Sequence, residues 1–93
     1  MALEDRFNFE DLVNESERAV FDELERQLGA GVATTTEDAV LDMAAYALNH
    51  VPARYRLNLL GRLYARGNDE AFGASVSRAV REAISKVRSE EQR

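Results

Sequence analysis

The run Asn49-His50-Val51-Pro52-Ala53-Arg54-Tyr55-Arg56 concentrates the groups of this chain that could do chemistry. An arginine guanidinium takes phosphate oxygens in a bidentate fork and stacks on aromatic faces, which a lysine does poorly. A tyrosine ring offers a platform for a base, and such stacking contributes ~1–3 kcal/mol per base. Asn49 and His50 add hydrogen-bonding groups at a helix exit, where carbonyls are left unpaired. Pro52, the one proline, has no N–H and holds the preceding residue out of the α region, so a helix must stop at or before Val51. The candidate ligand-binding residues are therefore Asn49, His50, Pro52, Arg54, Tyr55 and Arg56. The same residues also read as an ordinary helix end and turn.

Charge sets this run apart. Residues 1–42 hold twelve acids against three bases, residues 43–68 hold four arginines and no acid, and the remainder balance, for −5 overall. A cationic block in an acidic protein is a local anion site if its side chains converge. The acidic balance as a whole argues against non-specific duplex binding, which needs many phosphate contacts. A helix-turn-helix DNA binder fits the helix count but not this balance.

Catalysis has little to work with. The chain has one histidine and no cysteine, and no serine sits in a recognisable nucleophile turn. Glu15, Glu17, Glu23 and Glu25 read as a solvated helix face, because no histidine or cysteine cluster accompanies them as metal ligands. The expectation is a non-enzymatic protein without cofactor or metal. The absence of cysteine also fits a reducing cytoplasm. No apolar run approaches the ~20 residues that span a bilayer, and the acidic stretch Met1 to Glu10 lacks the features of a signal peptide.

The elements that position the run follow from periodicity. With 93 residues the expectation is a single domain, residues 1–93, with a loose lead-in at 1–8 and a frayed tail at 89–93. A chain of this size buries only ~60–65% of its unfolded surface, so self-association is a natural supplement to its core. Phe7 and Phe9 are expected to anchor the lead-in. Leu12, Val13, Val20, Leu24 and Leu28 are spaced as one helical stripe, with Asn14 and Glu17 as a capping box and Gly29 as terminator. Residues 29–36 form a linker, and Thr35 or Thr36 caps a second helix carrying Val40, Leu41, Ala44, Ala45, Ala47 and Leu48. Tyr46 is expected as a core aromatic with a bonded hydroxyl. Residues 55–66 fit two readings: Tyr55, Leu57 and Leu59 alternate as in a short strand, and Leu57, Leu60, Leu63 and Tyr64 keep helical spacing. A short extended piece followed by a helical turn is the reading preferred, with Gly67-Asn68-Asp69 as a turn and cap. Phe72, Val76, Ala79, Val80, Ala83, Ile84 and Val87 mark the clearest amphipathic helix, with Gly73 its one poor residue. The fold class predicted is mainly α: a small domain of three to four helices with one short extended segment after Pro52, as a homodimer.

Asp42, Ala45, Ala47, Leu48, Asn49, Val51, Pro52, Arg54 and Tyr55 fall on a pattern close to D-[IV]-x-A-x-A-L-N-x-[LV]-P-x-[RK]-Y. In this the chain resembles the late competence development protein family, ComFB. Asn14, Glu17, Val20 and Glu23 resemble the family's first helix, and the likeness runs over residues 13–66. The resemblance implies a dimeric, mainly helical receptor for a cyclic dinucleotide, c-di-GMP or c-di-AMP, with links to competence, type IV pili and motility through a downstream protein. It implies that the signature turn is the ligand site. Some relatives hold a cysteine-ligated zinc before the signature helix; Val32 to Thr36 stand there in this chain, so the metal is not carried over. Ala53 replaces a second proline often found in relatives. The alternative, read from the charge asymmetry without the family, is a ligand-free helical dimer that docks an acidic protein.

Overall fold

A computed structural model describes residues 2–57 and 70–91. Among the described residues three α-helices, α1 (Glu15–Leu28), α2 (Glu37–Leu48) and α3 (Glu70–Glu91), enclose the core. A two-stranded antiparallel ribbon, β1 (Leu12–Asn14) and β2 (Tyr55–Leu57), lies beside it. The long helix α3 packs against both others, most extensively against α2. Val20 and Leu24 of α1, Met43 and Ala47 of α2, and Val76, Val80 and Ala83 of α3 form the centre. Ala39, Ala44 and Ala47 are all buried, and their small side chains let the helix axes approach closely.

Local chemistry accounts for the boundaries. The Asn14 side chain accepts from the Ser16 N–H and opens α1, and the Thr36 hydroxyl accepts from the Ala39 N–H and opens α2. Glu37 and Asp38 follow in the first turn of α2, at the positive end of its dipole. Gly29, at φ 53°, ends α1, a conformation costly to any residue with a Cβ. A six-residue 3-10 segment, Gly29–Thr34, occupies the expected linker. It is tied down where Thr34 and Thr35 hydroxyls donate to the Gly31 carbonyl.

Leu12 and Val13 do not extend the helical stripe. They form β1, paired Leu12 with Leu57, Val13 with Arg56 and Asn14 with Tyr55. Asn14 has extended backbone angles, as an N-cap requires, so nothing before it can be helical in register with α1. Phe7 and Phe9 do not anchor the lead-in: each is about half exposed, at 54% and 47%. Single 3-10 turns at Leu3–Asp5 and Phe9–Asp11 order that segment instead. At the other end α3 continues two residues past Ser89. The extended piece after Pro52 is β2; the readings made for residues 58–69 lie outside the described residues. Among the described residues, no helix is long and apolar enough to cross a membrane.

Candidate functional site

The turn after α2 is held by the start of α1, across some forty positions of sequence. Asn14 Oδ1 accepts from the Arg54 N–H at 2.7 Å as well as from the Ser16 N–H at 3.1 Å. The Glu15 N–H donates to the Arg54 carbonyl at 2.8 Å. The Ser16 hydroxyl, wholly buried, donates to the Pro52 carbonyl at 2.5 Å. A free helix N-terminus leaves its first N–H groups without intrahelical partners; here two of those groups and a cap oxygen are spent on, or alongside, the Pro52–Arg54 backbone. The β1–β2 ladder continues the clamp through Arg56.

The six candidate residues are thereby dealt to different places. Asn49 closes α2, its N–H reaching the carbonyls of Ala45 and Tyr46. His50 turns back on the same helix: Nδ1 lies 2.7 Å from the Tyr46 carbonyl, and a carbonyl only accepts, so Nδ1 carries the proton. Its ring stacks on Tyr46 at a centroid distance of 4.2 Å and an interplanar angle of 18°. Tyr46 is thus half-buried, packed against the edge of the core and stacked on His50 at the helix end. Pro52 is exposed, with its carbonyl taken by Ser16.

Arg54 and Tyr55 reach different surroundings. The Arg54 guanidinium lies over the Phe72 ring of α3, 4.3 Å from its centroid, in cation–π contact. Tyr55 stands 62% exposed. With Arg56 it lines an open cavity of about 440 Å³ against the ribbon and the first turns of α1, where Glu15, Arg18 and Phe21 form the other wall. Arg56 is half-buried in an ion pair with Glu15. Two of the six candidates therefore share a cavity, while Asn49 and His50 build the helix terminus.

Four residues of this region have roles that the sequence does not show. Asn14 was legible as a cap, but nothing in its spacing showed that the same oxygen serves Arg54. Ser16 carried no signal beyond being a small polar residue in a first turn. Phe21 and Arg18 sit on the exposed side of α1, and only the pairing of β1 with β2 brings them beside Tyr55. The cavity is within the ~300–1,000 Å³ range of small-molecule pockets, and it is lined by two arginines, two aromatic rings and two carboxylates.

A second polar cluster ties α1 to α3. Glu23 accepts from Arg26 at 2.5 and 2.9 Å and from Gln27 at 2.7 Å, and Gln27 also donates to the Ser77 carbonyl at 3.0 Å. The hydrogen bonds from Arg26 foremost hold the Glu23 carboxyl down at about 2, against the opposing effect of burial.

No curated protein and no solved structure matches the chain. The family model described as late competence development protein ComFB matches residues 13–91. That span starts at β1 and ends with α3, so it takes in the clamp, the turn and the three helices together. The chain belongs to the late competence development protein ComFB family.

Proposed function

We propose that this protein is a non-enzymatic receptor for a cyclic dinucleotide second messenger, c-di-GMP or c-di-AMP, acting as a cytoplasmic homodimer. Family membership suggests a competence-related role; the finer reading is that ligand binding changes contacts with a downstream protein of the competence, type IV pilus or motility machinery. The observation that carries the proposal is the cavity beside the clamped turn, where Tyr55 and Arg56 meet Arg18 and Phe21. A purine stacks on the exposed tyrosine. Its phosphate takes the Arg56 fork. A two-fold axis supplies a second copy of the same groups for the second nucleotide.

The Arg56–Glu15 pair gives this reading a specific consequence. A ligand phosphate and the Glu15 carboxylate compete for one guanidinium, so Glu15→Gln should bind more tightly than the native chain. Thermal-shift measurements with c-di-GMP, c-di-AMP and the parent mononucleotides test the proposal. A ligand at 100 times its Kd adds ~2.7 kcal/mol of apparent stability. The shift should vanish in Tyr55→Ala. No shift with either cyclic dinucleotide would leave the alternative, a ligand-free helical interaction module. That alternative draws its support from Arg56 and Arg54 being already engaged by Glu15 and Phe72.

A further inference from the structure

On the face formed by α1, the 3-10 segment and α2 lies an apolar groove of about 330 Å³. Leu24, Leu28 and Ala44 are buried at its floor, while Phe21, Val32 and Leu41 stand 41%, 46% and 58% exposed along it. Three large apolar side chains left this far in water on adjoining elements mark a place where something docks, because scattered exposure would not line one groove. The groove has almost no polar lining; Glu25 is the one charged residue on it.

Its surroundings are acidic. Glu17 and Glu25 lie one turn before and after Phe21 on α1, and Glu37 and Asp38 lie one turn before Leu41 on α2, positions that neighbour those residues on the helix surface. All four are exposed. On α1, Arg18 and Arg26 are paired with Asp22 and Glu23, and the Arg88 guanidinium reaches the Gly31 end of the 3-10 segment. Two copies meeting face to face here would set carboxylates against carboxylates, and an anionic membrane surface would meet the same repulsion.

We propose that this groove docks an amphipathic helical segment of a partner protein, with apolar anchors entering between Phe21 and Leu41 and flanking lysines or arginines meeting the acidic rim. This is helix-in-groove recognition with charge complementarity. The groove shares Phe21 with the Tyr55 cavity, but nothing in this proposal requires that cavity to bind a nucleotide.

The test uses the full chain and a synthetic leucine–lysine peptide with leucines at i, i+3, i+4 and i+7. A scrambled peptide of the same composition carries the same charge without the apolar face. In fluorescence anisotropy at physiological salt, the patterned peptide should bind at least about tenfold more tightly than the scrambled one, a difference of ~1.4 kcal/mol. Leu41→Ser and Val32→Ser should each abolish most of that preference with circular dichroism unchanged. The double variant Glu25→Lys with Asp38→Lys should weaken the patterned peptide as well. Equal binding of the two peptides would overturn the proposal, as would indifference to both serine substitutions. Sedimentation showing a dimer that Leu41→Ser dissociates would also overturn it, because the groove would then belong to a second copy.

Discussion

Replacing Asn14 by alanine removes one oxygen with two jobs. Loss of an N-cap side chain costs about 1 kcal/mol. The Arg54 N–H, now 2.7 Å from that oxygen in a half-buried position, would be left without its acceptor, adding about 1–2 kcal/mol. The expected destabilisation is therefore about 2–3 kcal/mol, a large share of the ~5–14 kcal/mol that a chain of this length possesses. Thr36→Ala is the internal control. Thr36 also caps a helix, accepting from Ala39, but its bond stays within the local turn and its loss should cost about 1 kcal/mol. Urea unfolding followed by far-UV circular dichroism measures both. With a slope of about 1–1.5 kcal/mol per molar, the Asn14→Ala midpoint should fall by about 2 M and the Thr36→Ala midpoint by less than about 1 M. Asn14→Asp keeps an acceptor at both places and should remain close to the native midpoint. Equal losses for Asn14→Ala and Thr36→Ala would refute the idea that α1 clamps the Pro52–Arg54 turn.

Other expectations follow from single features. Gly73 lies inside α3, and a Cβ there would meet nothing within 4 Å; Gly73→Ala should stabilise the fold by about 0.5–1 kcal/mol, read from the same urea curves. Gly29 has φ 53° whereas a Cβ on Gly31 would only touch the mobile end of the Arg88 side chain at 3.4 Å. Gly29→Ala should therefore cost about 1–3 kcal/mol, and Gly31→Ala much less. Glu23 has a folded pKa of about 2 against an ordinary 4.5. Its hydrogen bonds contribute stability that is complete above pH 4.5 and is lost as pH falls towards 2. The native urea midpoint should drop more steeply across that window than that of Glu23→Gln. Met43→Ala empties the largest fully buried side chain of the core and should cost about 2–5 kcal/mol.

Much of the fold could be read from the sequence because its signals are local. The apolar period of Phe72 to Val87 placed α3, and Asn14, Gly29, Thr36 and Pro52 carry their boundaries in their own chemistry. The ribbon was only half legible. Three residues are too few for an alternating pattern to declare itself, and Leu12 and Val13 happen to keep helical register with Val20. Long-range hydrogen bonds were invisible altogether. Ser16 gives no hint that it is wholly buried against Pro52, and Asn14 gives none that it reaches Arg54. The candidate site was legible as composition but not as geometry. The residue types of the Asn49–Arg56 run were right there to see, yet Arg54 goes to Phe72 while Tyr55 faces the cavity, and the Tyr46 carbonyl draws His50 back onto α2. The groove along Phe21 and Leu41 was hidden for a related reason: Leu41 reads as one more apolar residue of α2 and Phe21 lies outside the α1 stripe, and only the packing of the helices decides which apolar side chains remain in water.

Titration of the protein with c-di-GMP and c-di-AMP, followed in amide correlation NMR spectra, tests the central claim most directly. The account predicts saturable shifts concentrated at Glu15 to Phe21 and at Tyr55 to Leu57, the walls of one cavity, with the core of α3 undisturbed. Spectra unchanged by either ligand, or shifts gathered instead around Tyr46 and the Arg81–Glu90 side of α3, would contradict it.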